Sequence, residues 1–387
     1  MKVLIITQQT IPHSGGLSTH IETLSNSLQA NGHEVKLIQG GSFQPKKLTK
    51  GLRLIATLGD RDKFVEKNFN DLLNNLSNNI QKEINEFQPD IIHSHDVYAS
   101  YAALQSNNIE IDKLIQTIHG PALYEAQMGG VDKKPRFKNI IIKCENETFK
   151  KINNFIAVDT GQANILINDY NVNKHKISII YNGVDVDEVK KFTANPIVNF
   201  KITQPYFLVP RRLVEKTGVR YAIEALAKLK NKNVFLVIAG HGPQLDALQN
   251  LANNLKISSR VKFLGAIKRE SLMYLYSRAI AVIVPSIPAS GVIEATSLSV
   301  TEAMAAGTVP IASDIGGLAE LIDNDLTGIL VPPANSSELA IAMDEISINE
   351  NKRNNLIKNA SKKVVEDYSS RVWLNKIINR YSNMLVK

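Results

Sequence analysis

Cysteine is almost absent: the 387-residue chain has one, Cys144. No internal disulfide can form, which fits a reducing compartment. A lone cysteine on a helix-patterned stretch reads as a passive thiol. Long apolar runs are missing as well. No stretch approaches the roughly 20 apolar residues that a membrane-spanning helix needs. The opening "MKVLIITQQTIPHSGG" has a single lysine and a short apolar run, without the long apolar region and small-residue cleavage site of a signal peptide. The expected location is the cytoplasm, either free or peripheral at the inner face of the membrane. The chain also lacks a GxGxxG fingerprint and a Walker A loop, which speaks against a dinucleotide dehydrogenase and a P-loop nucleotidase. Aromatic residues make up 6% of the chain. Only Phe137 falls within the main basic cluster, which is not the interleaved stacking platform that single-stranded nucleic acid uses, and nucleic acid is not an expected partner.

What is present looks like an ordinary globular protein of more than one core. Hydrophobic residues are 44% and charged residues 21%, both typical of soluble domains. The length favours two domains. The net charge of +8 is compatible with a nucleic acid, an anionic lipid or a phosphorylated small substrate. Lys133, Lys134, Arg136 and Lys138 cluster in "VDKKPRFKNIIIK". That stretch could touch anionic lipid or a phosphorylated acceptor, or be a plain solvated face.

Short Val/Ile-rich runs alternate with amphipathic helical segments from end to end. In the first half the runs are "KVLIIT", "EVKLIQ", "DIIHSH", "LIQTIHG", "FIAVD" and "ISIIYNG". In the second they are "YFLVPRR", "VFLVIAG", "VKFLG", "AIAVIVPS", "VPIASD" and "GILVPP". Continuous rather than alternating apolar runs mark strands buried on both faces. Strand–helix alternation predicts parallel sheets covered by helices, and its repetition predicts two Rossmann-like domains in tandem. The expected division is 1–195 and 196–370, with a linker around Asn182–Pro205. A last helix, 371–387, carries Trp373, Ile377 and Tyr381 on one stripe and either caps the second domain or crosses back onto the first.

Ligands of open parallel sheets bind beyond the carboxyl ends of the strands, so the residues following each run carry the functional reading. Gly15 and Gly16 follow the first strand and stand before a helix. His93 and His95 end the third run, and His119 ends the fourth. The His-x-His spacing, without Cys or Glu at ligand spacing, is weak as a zinc signal, and hydrogen-bonding roles are the plainer reading. Arg211 and Arg212 end "YFLVP", with Lys216 close behind, and guanidinium suits phosphate. Gly240 and Gly242 form a tight turn after "VFLVIA". Two carboxylates with seven residues between them, Glu294 and Glu302, bracket "ATSLSVT". Ser299 and Glu302 also fit a capping box. A diphosphate needs free N–H groups at a helix start and nearby cations. Ser297 and Leu298 can supply the first, Arg212 and Lys216 the second. The two acids suit sugar and ribose hydroxyls. The Asp-x-Asp triplets, Asp185–Asp187 and Asp323–Asp325, read as turn chemistry.

With these residues in place, the chain resembles the family 4 glycosyltransferases of the GT-B fold. The E-x7-E pair followed by "AMAAGTVPIASDIGGLAELI" is the most specific part; "SGGLSTHIETLSNSLQANGHEV", "IIHSHD", "TIHG", "YNGVD" and "PRRLVEKTGV" match in order. The resemblance implies two Rossmann-like domains with parallel sheets facing a central cleft. It implies retaining, metal-independent transfer of a sugar from a UDP- or GDP-sugar to a hydroxyl acceptor, which could be lipid-linked or phosphorylated. No cofactor is implied. By the same resemblance Glu294 contacts the transferred sugar and Glu302 the ribose. Arg212 and Lys216 hold the diphosphate, Gly16 lines the phosphate and acceptor side, His119 sits beside the reacting carbon, and Gly240, Ser297 and Leu298 complete the donor site. Two features depart from the family. Glu294-Ala295-Thr296-Ser297-Leu298 stands where E-G-F-G-L is common, and Thr217 stands where the lysine is commonest. A sugar-nucleotide 2-epimerase of the same fold and a non-catalytic scaffold subunit are the competing readings.

Overall fold

The computed structural model describes residues 1–12, 16–41, 61–194, 202–289 and 291–386. Gly15 lies outside the described residues. The chain forms two compact units: Met1–Ile180 together with Leu374–Lys387, and Tyr181–Trp373.

The first unit contains β1 (Lys2–Thr7), α1 (Gly16–Ala30), β2 (Glu34–Gln39), α2 (Arg61–Phe87), β3 (Ile91–Ser94), α3 (Val97–Leu104), β4 (Leu114–Ile118), α4 (Ala122–Met128), α5 (Pro135–Lys151), β5 (Asn154–Ala157), α6 (Thr160–Asn168) and β6 (Ile177–Ile179). Its sheet runs β2-β1-β3-β4-β5-β6, and every pairing is parallel. The apolar runs of β1, β3, β4 and β5 are buried throughout, as continuous Val/Ile patterning demands of strands covered on both faces.

The second unit contains α7 (Val186–Ala194), β7 (Tyr206–Val209), α8 (Val219–Lys228), β8 (Phe235–Ala239), α9 (Leu245–Asn254), β9 (Val261–Gly265), α10 (Arg269–Arg278), β10 (Ala281–Val284), α11 (Leu298–Ala305), β11 (Val309–Ser313), α12 (Gly316–Leu321), β12 (Ile329–Val331), α13 (Ser336–Ile348) and α14 (Glu350–Asp367). The order β12-β11-β10-β7-β8-β9 is again all parallel. Counted from its own first strand, this is the doubly wound 3-2-1-4-5-6 arrangement.

All twelve apolar runs form strands, and the α/β class with two parallel sheets is as the patterning indicated. The second unit starts earlier than residue 196. The supposed linker contains α7, whose Val186 and Val189 join the second core, and Asp185 caps its first turn by accepting from the Glu188 amide at 2.9 Å. The final helix, α15 (Ser370–Leu385), begins in the second unit, and its residues from Leu374 onward belong to the first. Trp373, Ile377 and Tyr381 are each at most 1% exposed, so the apolar stripe read from the sequence is a buried face.

Candidate functional site

Strand order reverses between β7 and β10 in the second unit, and crevices of doubly wound sheets form at such points. The turns after these two strands are locked together. The Ile287 amide donates to the Lys216 carbonyl at 2.9 Å, and Gly218, with φ of 62°, lies so close that an added Cβ would sit 1.8 Å from the Pro285 carbonyl oxygen. Gly240, at the end of β8, gives way similarly: a Cβ there would meet the Arg211 carbonyl oxygen at 1.9 Å. Both glycines are therefore required for the backbone after β7 to run where it does.

That backbone carries Arg211 into the crevice. Its Nη2 donates to Glu294 Oε1 at 2.7 Å and to Ser286 Oγ at 3.2 Å, and its Nη1 donates to Ser297 Oγ at 2.8 Å. The Arg211 and Glu294 side chains are 9% and 14% exposed. Arg211 Nε and Glu294 Oε2 are buried without partners. One donor and one acceptor are thus held in place and left unused.

The sequence singled out Arg212 as the cation beside α11. The structure seats Arg211 there instead, while Arg212 is exposed. The signal was the Arg-Arg doublet just past the strand, of which Arg211 turns inward and Arg212 stays exposed. Ser297 is the N-cap residue of α11, and its hydroxyl makes no capping bond because it receives Arg211. Leu298 opens the helix; the Val300 amide already donates to the Ser297 carbonyl at 3.0 Å, so the Leu298 and Ser299 amides are the ones that precede any helical acceptor. The expected capping box is not formed. Ser299 donates to the Pro210 carbonyl at 3.3 Å, and Glu302 is taken up elsewhere. Its Oε1 receives Arg269 Nη1, and its Oε2 receives the Tyr276 hydroxyl at 3.1 Å. Glu302 is 6% exposed, so it is a buried, paired carboxylate whose remaining lone pairs alone are open to a ligand. Lys216 lies on the short turn Glu215–Thr217. Thr217, at the family's usual lysine position, is buried and donates to the Arg212 and Val214 carbonyls, both at 2.7 Å.

In the first unit the order reverses between β1 and β3. Asp96 binds the two strand ends together, accepting from Thr7 Oγ1 at 2.8 Å, the Gln8 amide at 2.7 Å and the Ala99 amide at 2.8 Å. Gly16 is the exposed first residue of α1. His93 lies within β3, His95 and His119 stand one residue past β3 and β4, and the three do not share a role. His93 is fully satisfied, with Nδ1 2.6 Å from the Tyr381 hydroxyl and Nε2 2.7 Å from Thr117 Oγ1; burial takes its pKa down to about 3. His95 and His119 gather with His20 of α1, which the sequence reading passed over. The rings of His20 lie 5.1 Å from those of His95 and 4.6 Å from those of His119. Burial, followed by neighbouring histidines, holds His95 and His119 well below the usual imidazole value.

The remaining candidates are structural. Burial pushes the Cys144 thiol up to about 12, so it stays protonated and unreactive. In the Asp-x-Asp triplets, Asp323 and Asp325 pair with Lys363 at 2.6 Å and Lys352 at 2.7 Å. In the basic stretch, Lys138 pairs with Asp132 at 2.7 Å and Arg136 with Glu66 at 3.5 Å; Lys133, Lys134, Arg136 and Lys143 are all exposed. No helix among the described residues is long and apolar enough to cross a membrane.

The chain is similar to known proteins over both of its units. Residues 14–188 match the model of Glycosyltransferase Family 4, and residues 191–363 match Glycosyl transferases group 1. An uncharacterized glycosyltransferase of Methanocaldococcus jannaschii is 28% identical over 381 residues, covering 95% of each chain. Among solved structures, sucrose-phosphate synthase of Thermosynechococcus elongatus superposes with a TM-score of 0.76 at 19% identity, covering 100% of this chain and 99% of the other. The Anabaena protein HepE, in complex with UDP-glucose, gives 0.71 at 18% identity over 99% of this chain and 100% of its own. The fold is that of the GT-B enzymes, and the chain belongs to the family 4 glycosyltransferases.

Proposed function

We propose that the chain transfers a sugar from a nucleoside diphosphate sugar to a hydroxyl acceptor, with retention and without a metal. The observation that carries this is the Arg211–Glu294 pair at the β7/β10 crossing, bonded on one side and left with one buried, unpaired polar atom on each side chain. Glu294 Oε2 is an unused acceptor for a sugar hydroxyl. Arg211 Nε and the Leu298 and Ser299 amides at the start of α11 are donors for a negatively charged group. Arg212 and Lys216 add positive charge from the same turn. The complex of HepE with UDP-glucose favours a uridine donor, with GDP-sugars the other class.

As the bond to the leaving diphosphate breaks, positive charge grows on the sugar carbon and negative charge on the phosphate oxygens. Fixed donors aimed at those oxygens stabilise the second charge without reorganising. The acceptor hydroxyl attacks from the face that the diphosphate leaves, and its proton passes to a phosphate oxygen, so no protein base is assigned. His119 is assigned to the reacting carbon. Glu302 offers its remaining lone pairs to the ribose. The acceptor is a glycan, a glycolipid or a small molecule, and Lys133 and Lys134 provide a peripheral contact to anionic lipid if it is lipid-linked.

The test is a thermal-shift panel of nucleoside diphosphates and their sugars in excess EDTA, followed by turnover with the stabilising donor. A native-state ligand at about 100 times its Kd stabilises by about 2.7 kcal/mol. The reading fails if no nucleotide raises the transition. It also fails if the donor is converted to its 2-epimer in the absence of an acceptor, which would mark an epimerase.

A further inference from the structure

The first unit carries a cluster that the proposed transfer does not use as a whole. His20 on α1, His95 one residue past β3 and His119 one residue past β4 bring one ring nitrogen each within 4.8 Å of one another. His95 is 2% exposed, and neither of its ring nitrogens has a hydrogen-bond partner. His119 Nε2 is also buried without one. A buried polar atom left unbonded costs about 1–3 kcal/mol and calls for an explanation. The neighbouring His93 shows that this fold can satisfy a buried histidine, since both of its nitrogens are bonded.

The ring spacing supplies the explanation. Three imidazoles on a tetrahedral zinc, with Zn–N of about 2.0–2.1 Å, place their ring centres roughly 5 Å apart. Here the three separations are 5.1, 4.6 and 5.9 Å. The nitrogens lie within 4.8 Å of one another, and χ2 of histidine is a broad torsion about which the rings can turn toward ligand spacing. The donor set is all nitrogen. It suits borderline cations such as zinc or cobalt and not magnesium or calcium, which take oxygen. Three protein ligands leave a fourth position for water. The Asp96 carboxylate, next in sequence to His95 and fixed by three hydrogen bonds, offsets part of the added charge.

We propose that His20, His95 and His119 form a three-histidine site for a borderline divalent cation, zinc foremost. Because His119 is assigned to the transfer, an occupied site inhibits it. That consequence rests on the proposed function, whereas cation binding does not.

The test uses the full chain without a polyhistidine tag, stripped with chelator and titrated with cobalt while visible absorption is recorded. One equivalent should give the intense bands of four-coordinate cobalt with nitrogen ligands, and zinc should abolish them. His20→Gln, His95→Gln and His119→Gln should each weaken binding at least tenfold, while His175→Gln, on the exposed turn before β6, should not. X-ray absorption of the zinc-loaded wild type should count three imidazoles, a result independent of whether any variant folds. A weak octahedral spectrum, fewer than three imidazoles, or unchanged affinity in a folded His95→Gln variant would overturn the site. Retained stabilisation by UDP in those variants separates failure here from failure of the transfer reading.

Discussion

At the scale of single residues, the Arg-Arg doublet after β7 divides its work. Arg211 is nearly buried against Glu294, and Arg212 is exposed. Removing Arg211 leaves a mostly buried carboxylate unpaired, which costs about 3–5 kcal/mol in comparable cases. Arg211→Ala should therefore lower the denaturation midpoint and cut kcat by about 10²–10³-fold, the usual range for losing one fixed donor. Arg212→Ala should leave stability within about 0.5 kcal/mol, as exposed substitutions do, and raise the KM for the donor. Steady-state kinetics with urea denaturation on both variants reads the split; a reversed pattern would return the inner role to Arg212. The acids, the doublet and the strand-end histidines were legible because charge after a buried strand needs a reason. Which arginine turned inward was not legible, since that depends on the course of the backbone past β7 and on the room left by Gly240. His20 was hidden for a related reason: on an amphipathic helix it looks like any residue of the inner face, and only folding brings it to His95. One departure from the family motif has a visible use. Ser297, which replaces a common glycine, receives Arg211 directly.

At the scale of elements, the site depends on how closely neighbouring turns approach. Gly218→Ala places a methyl group against the Pro285 carbonyl in a left-handed conformation, and the two effects together should cost about 2–4 kcal/mol. Gly32→Ala is the control: its φ is 78° but nothing lies within 4 Å, so it should cost only about 1–2 kcal/mol. Urea denaturation of the pair tests whether the contact, rather than backbone strain, carries the difference. A second inter-element pin is sensitive to pH. Glu145 of α5 accepts from the Leu123 amide of α4 at 3.0 Å and from the Tyr170 hydroxyl, past α6, at 2.6 Å. Burial raises its pKa. A carboxyl raised on folding makes the native state hold the extra proton, so its stabilisation is present in acid and lost as pH rises through the folded value. Glu145→Gln keeps an acceptor for Leu123 and cannot ionise. The stability of wild type relative to this variant should fall as pH rises above the ordinary carboxylate range, and a flat difference would remove Glu145 as the cause. The strands were all legible because buried parallel strands write continuous apolar runs. Helix α7 was not, because its nine residues VDEVKKFTA bury only Val186 and Val189, too short a stripe to stand out from a linker.

At the scale of the whole molecule, the chain leaves the first unit at Ile180 and returns to it at Leu374. The first unit is thus closed by residues nearly 200 positions away from its last strand. The return is anchored by a specific bond. The Tyr381 hydroxyl lies 2.6 Å from Nδ1 of His93, both groups fully buried, and Arg380 Nη2 donates to Asn154 Oδ1 at 3.0 Å. The sequence showed the apolar stripe of this helix and left open which unit it served, because a stripe states that a face is buried and not against what. Tyr381→Phe tests the anchor with the ring kept in place. It deletes one hydroxyl and leaves His93 Nδ1 buried without a partner, which should cost about 1–3 kcal/mol. The loss should fall on the first unit. Hydrogen exchange should quicken along β3 and β4, while the amides of β7, β10 and the first turn of α11 keep wild-type rates and UDP still slows exchange in that turn. A loss of protection shared equally by both sheets would show that the two units unfold as one, and that the final helix stabilises the entire molecule rather than the part it returns to.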